Sequence, residues 1–316
     1  MSARTRVAVI GGGQNSEHEV SLASAAAVAR ALDPAAYDVV RLTIARDGGW
    51  CDGGSRPIGL AAAVELLRGC GVAVPVLHGP RGEDGTLAAL CDLAGVPLVG
   101  SGVRAGALAM DKWATKLVAG ALGIGVAPGV LLRPASAGAY GFTHPVVVKP
   151  VAAGSSHGVT LVRDAAALPA ALAAAFALDD RVLVEDVVVG REVDLAVLGR
   201  PGGARVVAPS LEIVVEGVFD ATTKYDGTAD FRIPAVLTDA ERTGLEHAAV
   251  AMYDALGCAG VARVDFFLTA EGPVLNEVNT MPGFTEESQV PKMFAAAGTS
   301  YAALLDLLVR DALLVA

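Results

Sequence analysis

The sequence is poor in cysteine, in aromatic residues and in basic charge, and each shortage removes a class of function. Four cysteines (Cys51, Cys70, Cys91, Cys258) are scattered over 316 residues, with no Cys-x-x-Cys pair and no histidine at zinc spacing. A disulfide scaffold and a thiolate metal site are therefore not expected, and the thiols read as buried or idle in a reducing cytoplasm. Lysine and arginine total 24 against 34 acidic residues, a net charge of -10. Binding a phosphate backbone needs a basic footprint, so nucleic acid is not expected as a partner. Aromatic residues are only 5% and charged ones 18%, while 53% are apolar, many of them alanine. Even so, the longest nearly apolar run, AAALPAALAAAFAL, is too short to span a bilayer and holds a proline. The opening MSARTRVAVIGGG carries four apolar residues after its basic ones, too few for the core of a signal peptide. No membrane association is expected.

What is present is alternation. VAVI (7–10), a helix over roughly 17–31, VVRLTI (39–44), the helix AAAVELLRG, VAVPVL (72–77), the helix TLAALCDLA and then PLVG follow one another. Strand and helix in turn predict a parallel, Rossmann-like sheet with helices on both faces. Next come a helix, MDKWATKLVAGAL, the strand VVVK (146–149), a Gly/Ser loop, VTLV, an alanine-rich helix and RVLVED (181–186). From Glu192 onward strands dominate: EVDLAVLG, ARVVAPSLEIVV and a hairpin, before the closing helix YAALLDLLVRDALL. The fold class is mixed α/β and α+β. Boundaries near 105 and 188 divide the chain into 1–105, 106–188 and 189–316.

The hairpin VARVDFFLTAEGPVLNEVN carries the first chemical signal. A five-residue loop over 269–273 sets Asp265 opposite Glu277 and Arg263 opposite Asn279. Facing carboxylates repel, and a divalent cation between them removes the conflict. Magnesium takes one or two carboxylates together with substrate phosphates, and the Asn279 amide offers a third oxygen. The alternative is a solvated polar face, and a four-residue loop would separate the two acids.

Upstream, HPVVVKPVAAGSSHGV ends a buried strand at Lys149 and continues into small residues, among them Ser155 and Ser156. Backbone N–H groups of such a loop approach phosphate closely. No Lys-Ser/Thr follows Gly158, so this is not a Walker A loop; an ordinary mobile loop is the other reading. Lys112, Lys149, Lys224 and Arg263 together counter a triphosphate. Glu185 and Glu192 flank a connection that lines a base and sugar, or they are two exposed loop acids. In IGGGQNSEHEVS, Ser16-x-x-Glu19 reads as a capping box. Glu17 is then left at the carboxyl edge of the sheet, where it suits an ammonium, and His78 lies at the same edge. The triple glycine invites a dinucleotide reading, but Ser16 stands at the third fingerprint position and no acid ends the second strand.

Seven stretches, in order, are similar to the D-alanine–D-alanine ligase family of the ATP-grasp superfamily: GGGQNSEHEVSLASA, LHGPRGEDGTLAAL, GSGVRAGALAMDK, HPVVVKPVAAGSSHGV, KYDG (224–227), ARVDFF and LNEVNTMPGFT. They cover nearly the whole chain. The resemblance implies a three-domain ligase gripping ATP between its central and C-terminal domains. ATP phosphorylates one D-alanine, and the amine of a second displaces phosphate, for peptidoglycan precursor synthesis. It also implies that Asp265, Glu277 and Asn279 bind two Mg2+, with Mn2+ as substitute and K+ as an activator left open. Lys112, Lys149 and Lys224 contact phosphates, while Glu185 and Glu192 hold adenine and ribose. Glu17 holds the first ammonium, and Arg263 with the Gly283 N–H stabilises the oxyanion. Ser155 and Tyr225 join Glu17 in orienting the amine, and Ser288 and Gln289 meet the second substrate. The lid is expected over 216–231, and a homodimer is implied. The sequence departs from the family pattern at His157, Ala221, Glu286, Glu287 and Gln289, the last three in the second-substrate pocket. The reaction type is therefore better specified than the second amino acid. Tyr225 favours an amine nucleophile over a hydroxy acid. The competing readings are an NAD-dependent oxidoreductase and a nucleotide-binding module without catalysis.

Overall fold

The computed structural model describes residues 4–214 and 230–315. The expected lid, with Ala221, Lys224 and Tyr225, lies outside the described residues except for Asp230 and Phe231, which open the strand Asp230–Arg232.

The first sheet runs in the order Trp50–Asp52, Tyr37–Ile44, Thr5–Gly12, Val72–Pro75. Its three long strands are parallel, as the alternating sequence predicts, and only Trp50–Asp52 is antiparallel. Val7 to Ile10 are all buried, because helices cover both faces and leave no side for water. Parallel strands aim their following loops at one edge. The turn after Gly12 and the His78 loop therefore meet there.

The capping box expected at Ser16 does not form. The helix His18–Ala31 begins later, with Glu17 at its N-cap. Asn15 takes over the turn: its Oδ1 accepts the Glu17 N–H at 2.9 Å, and its Nδ2 donates to the carbonyls of His78 and Pro80. Glu19 instead pairs with Arg46 at the surface.

A second, four-stranded antiparallel sheet has the order Gly129–Leu132, Val182–Asp186, Val146–Pro150, Thr160–Val162. The helix Leu168–Phe176 seals it through Leu168, Ala171, Leu172 and Ala175. The third sheet is centred on Arg191–Gly199, Val261–Thr269 and Gly272–Asn279. The short strand Gly125–Val126 joins its edge.

The helix expected over 110–122 is Lys112–Ala121, and a second helix that the sequence reading did not name, Val103–Met110, runs up to it. Asp111 breaks them apart by capping Lys112–Ala121: its Oδ1 accepts the Ala114 N–H at 2.9 Å. Ala105, Ala109 and Ala119 pack with Val193, Leu195 and Phe266 of the large sheet. Residues 103–126 thus sit on that sheet rather than on the small one that follows them. The position near 188 falls in the turn between Asp186 and Arg191. Finally, the helices Gln289–Ala296 and Tyr301–Leu314 return to the first sheet, where Leu304, Leu308 and Val309 share a core with Val7, Val9, Val72 and Val74. Cys70, Cys91 and Cys258 are buried free thiols. Among the described residues no single helix is long and apolar enough to cross a membrane.

Candidate active site

The C-terminal hairpin reaches its expected pairing by a route that the sequence reading did not take. Its turn is tighter than five residues: Thr269 pairs with Gly272. Counted straight from that turn, Asp265 would face Asn276 and the two acids would separate. A β-bulge at Asp265/Phe266 absorbs Asn276, and Asp265 faces Glu277 while Arg263 faces Asn279. The neighbouring strand adds a third acid, Asp194, directly opposite Asp265.

Three acids in one patch need cations. Arg263 forks onto Asp265 with two bonds of 2.7 Å, and its Nε lies 3.7 Å from Asp194. Burial alone would drive the guanidinium toward neutrality, but Asp265 outweighs it and raises the Arg263 pKa. Asn279 Nδ2 donates to Asp265 Oδ2 at 2.9 Å. Lys112 stands 3.3 Å from Glu277 and also donates to the Ala153 carbonyl at 2.7 Å. Asp265, Glu277 and Asn279 thus lie together on the hairpin, with both Asp265 oxygens held by Arg263, and among the described residues no three acidic, histidine or cysteine side chains are gathered as a metal cluster. Two carboxylates and an amide are the ligand types of a divalent cation shared with nucleotide phosphates.

Two adjoining cavities meet at Glu277 and Glu192. One, of about 390 Å³, lies between the second and third sheets and is lined by Lys112, Lys149, Ser156, Glu185 and Glu192. Lys149, expected to present its charge at the mouth, is instead buried and pairs with Glu185 at 2.8 Å. Lys116, which the sequence reading missed, holds the other Glu185 oxygen at 3.0 Å. Burial opposes ionisation of Glu185, but the two ammonium groups outweigh it and hold the carboxyl below its ordinary range. The other cavity, of about 490 Å³, is lined by Glu17, His78, Ser155, Arg263, Gly283, Ser288 and Gln289.

The sequence also explains how Glu17 and the Gly/Ser loop meet. Ser155 and Ser156 both adopt left-handed backbone, φ 48° and 55°, a conformation that short polar residues tolerate better than branched ones. The loop thereby brings Ser155 Oγ onto Glu17 Oε1 in a hydrogen bond. A Cβ at Gly154 would collide with the same carboxylate. His78 is buried, and its Nδ1 lies 2.9 Å from the Met281 carbonyl. Burial lowers its pKa, with Glu17 opposing, so the imidazole is neutral near pH 7. Glu83, also missed, accepts the N–H groups of Gly79 and Met281 and ties the His78 loop to the turn before Gly283. Ser288 caps no helix through its side chain; its Oγ accepts the Thr285 N–H at 3.0 Å. Gln289 donates to Asp194 at 3.0 Å. Lys224 and Tyr225 lie outside the described residues.

The models of the D-ala D-ala ligase N-terminus and C-terminus match residues 6–63 and 136–310. A D-alanine–D-alanine ligase of Mycobacterium sp. (strain KMS) is 42% identical over 98% of this chain and 96% of its own. Among solved structures, the VanG D-Ala:D-Ser ligase of Enterococcus faecalis is 35% identical with a TM-score of 0.85, covering 98% of this chain and 100% of its own. The D-alanine–D-alanine ligase of Bacillus anthracis complexed with ATP is 28% identical with a TM-score of 0.80, covering 98% of both chains. With its motifs in order, its two cavities and near full-length likeness, the chain belongs to the D-alanine–D-alanine ligase family, whose fold is the ATP-grasp.

Proposed function

We propose that the protein joins two D-alanines to D-alanyl-D-alanine at the expense of ATP, through an acyl phosphate, in peptidoglycan precursor synthesis. The observation that carries this reading is the junction of the two cavities at Glu277. An anion-lined and cation-lined nucleotide cavity on one side meets an amino-acid cavity holding Glu17, His78 and Arg263 on the other.

In this reading the carboxylate of the first D-alanine lies at that junction, with its ammonium on Glu17. Lys112 and Lys149 counter the phosphates, and Glu185 and Glu192 take the base and ribose. Asp265, Glu277 and Asn279 would hold two Mg2+, with Mn2+ substituting; bound there, the cations neutralise charge on the transferring phosphoryl group. Arg263 and the Gly283 N–H stabilise the oxyanion formed when the second amine attacks. The Ser155–Glu17 hydrogen bond orients that amine; the parts expected of Tyr225, Lys224 and the lid fall on residues outside those described. The attacking amine must be neutral, so turnover rises on the alkaline side of neutrality. A K+ activator, a homodimer, a cytoplasmic setting and division at about residues 105 and 188 belong to the same proposal on the strength of the resemblance.

A second reading keeps the chemistry and changes the second amino acid. It is supported by Gln289, a polar side chain held by Asp194 in the amino-acid cavity, and by the likeness to a D-Ala:D-Ser ligase. Phosphate release from ATP with D-alanine, L-alanine or neither tests the main reading, with products from a panel of second amino acids identified. Glu277→Gln lowers turnover by about 10²-fold or more in that assay, in line with the loss of an electrostatic catalytic group. A fully active variant removes the metal assignment.

A further inference from the structure

Glu185 accounts for more charge in the nucleotide cavity than a contact to a base requires. Lys116 on the helix Lys112–Ala121 and Lys149 on the strand Val146–Pro150 each take one of its carboxylate oxygens, at 3.0 and 2.8 Å. All three side chains are more than nine-tenths buried. Lys149 has a further oxygen, Asn276 Oδ1, at 3.5 Å, supplied by the residue that the hairpin bulge absorbs.

The charge count gives Lys116 a purpose. Without it, Glu185 and Lys149 would neutralise each other, and a nucleotide's phosphates would enter a cavity with one carboxylate oxygen unopposed. With it, the group carries a net positive charge, and Lys149 keeps an N–H donor beyond those to Glu185 and Asn276 for a second anion. The arrangement is costly to keep. Burial, then the neighbouring Lys149, push the Lys116 ammonium down to about 8, with Glu185 pulling the other way. A cation retained against burial beside a ligand cavity marks a functional position more often than a filler of the core.

We propose that Lys116 is a positioning residue for nucleotide binding: by holding one oxygen of Glu185, it leaves Lys149 available to the phosphates of ATP. This rests on reading the cavity as the nucleotide site. Lys116 itself need not touch the nucleotide.

The test measures the Kd for ADP and the KM values for ATP and D-alanine in K116M, K116R, E185Q and K116M/E185Q. Methionine keeps the apolar stem and removes the charge. K116M raises the ADP Kd and the ATP KM by about tenfold or more, leaves the D-alanine KM within about twofold, and K116R restores nucleotide binding to within about threefold. In the E185Q background, where no carboxylate needs holding, K116M changes the ATP KM by less than about threefold, because the two substitutions act on one interaction. An unchanged ATP KM in K116M overturns the proposal. So does a tenfold loss that persists undiminished beside E185Q, or a failure of arginine to rescue. K116R and the E185Q pair carry the test if K116M alone does not fold. A wild-type protein that binds neither ADP nor ATP removes the nucleotide reading itself, a result distinct from any of these.

Discussion

Replacing Arg263 by alanine exposes the electrostatic debt of the site. Asp194 and Asp265 face each other on adjacent strands, are 1% and 3% exposed, and share this guanidinium. Two unit charges about 4 Å apart at an effective dielectric near 20 interact by about 4 kcal/mol. Removing one partner of a buried pair costs about 3–5 kcal/mol, because the remaining charge stays desolvated. Arg263→Ala is therefore expected to lose about 4 kcal/mol at about pH 7.5, in urea unfolding without magnesium. Arg263→Lys keeps the charge but not the fork on both Asp265 oxygens, and loses about 1–2 kcal/mol. If Arg263 has the oxyanion role proposed for it, turnover falls by about 10²–10³ as well, the usual loss on removing such a donor. Stability within about 1 kcal/mol of wild type would refute the argument from shared charge.

Gly154→Ala drives a methyl group into the Glu17 carboxylate. It should cut turnover by about 10²-fold, the scale of a misplaced positioning group, with the far-UV spectrum unchanged; near-normal activity would show that the loop yields. Glu83→Gln should flatten the alkaline fall in stability. Burial first, and Glu17 second, push the Glu83 carboxyl up to about 8 from 4.5. The folded pKa lies above the unfolded one, so stability is lost as pH rises between those values and is lowest beyond about 8. Solvent reaches this half-buried side chain, which limits the effect to roughly 1–2 kcal/mol. Urea midpoints of wild type and variant at about pH 6 and about pH 9 make the comparison.

The elements of the first sheet were legible because VAVI is buried on both faces and reads as a continuous apolar run, while VVRLTI keeps its β-branched and apolar residues around an exposed Arg41. The helix expected over 110–122 starts two residues later, because Asp111 caps it, and the helix Val103–Met110 before it was not read at all. At Ser16 the capping box failed because Asn15, one residue earlier, competes for the same turn. The hairpin register was right for the wrong reason, since a tight turn and a bulge offset each other and neither has a clear signal in TAEGP. Lys116 left a faint trace, as a lysine between Thr115 and Ala119 on the buried stripe of its helix. Asp194 left a similar one, as an acid within the buried run Val193–Leu198. Glu83 could not be separated from the other acid of GEDG, because what distinguishes it is an N–H from Met281, 198 residues away.

The return of the last helix to the first sheet has a consequence for how the chain is made. Val7, Val9, Val72 and Val74 leave the ribosome long before their partners Leu304, Leu308 and Val309. The segment bearing Glu17 cannot complete its core until those partners are made, so it waits with part of its apolar face uncovered while the second and third sheets take shape. Trimming the chain before Tyr301 would leave that face permanently bare, and the damage would surface first at the opposite end of the polypeptide.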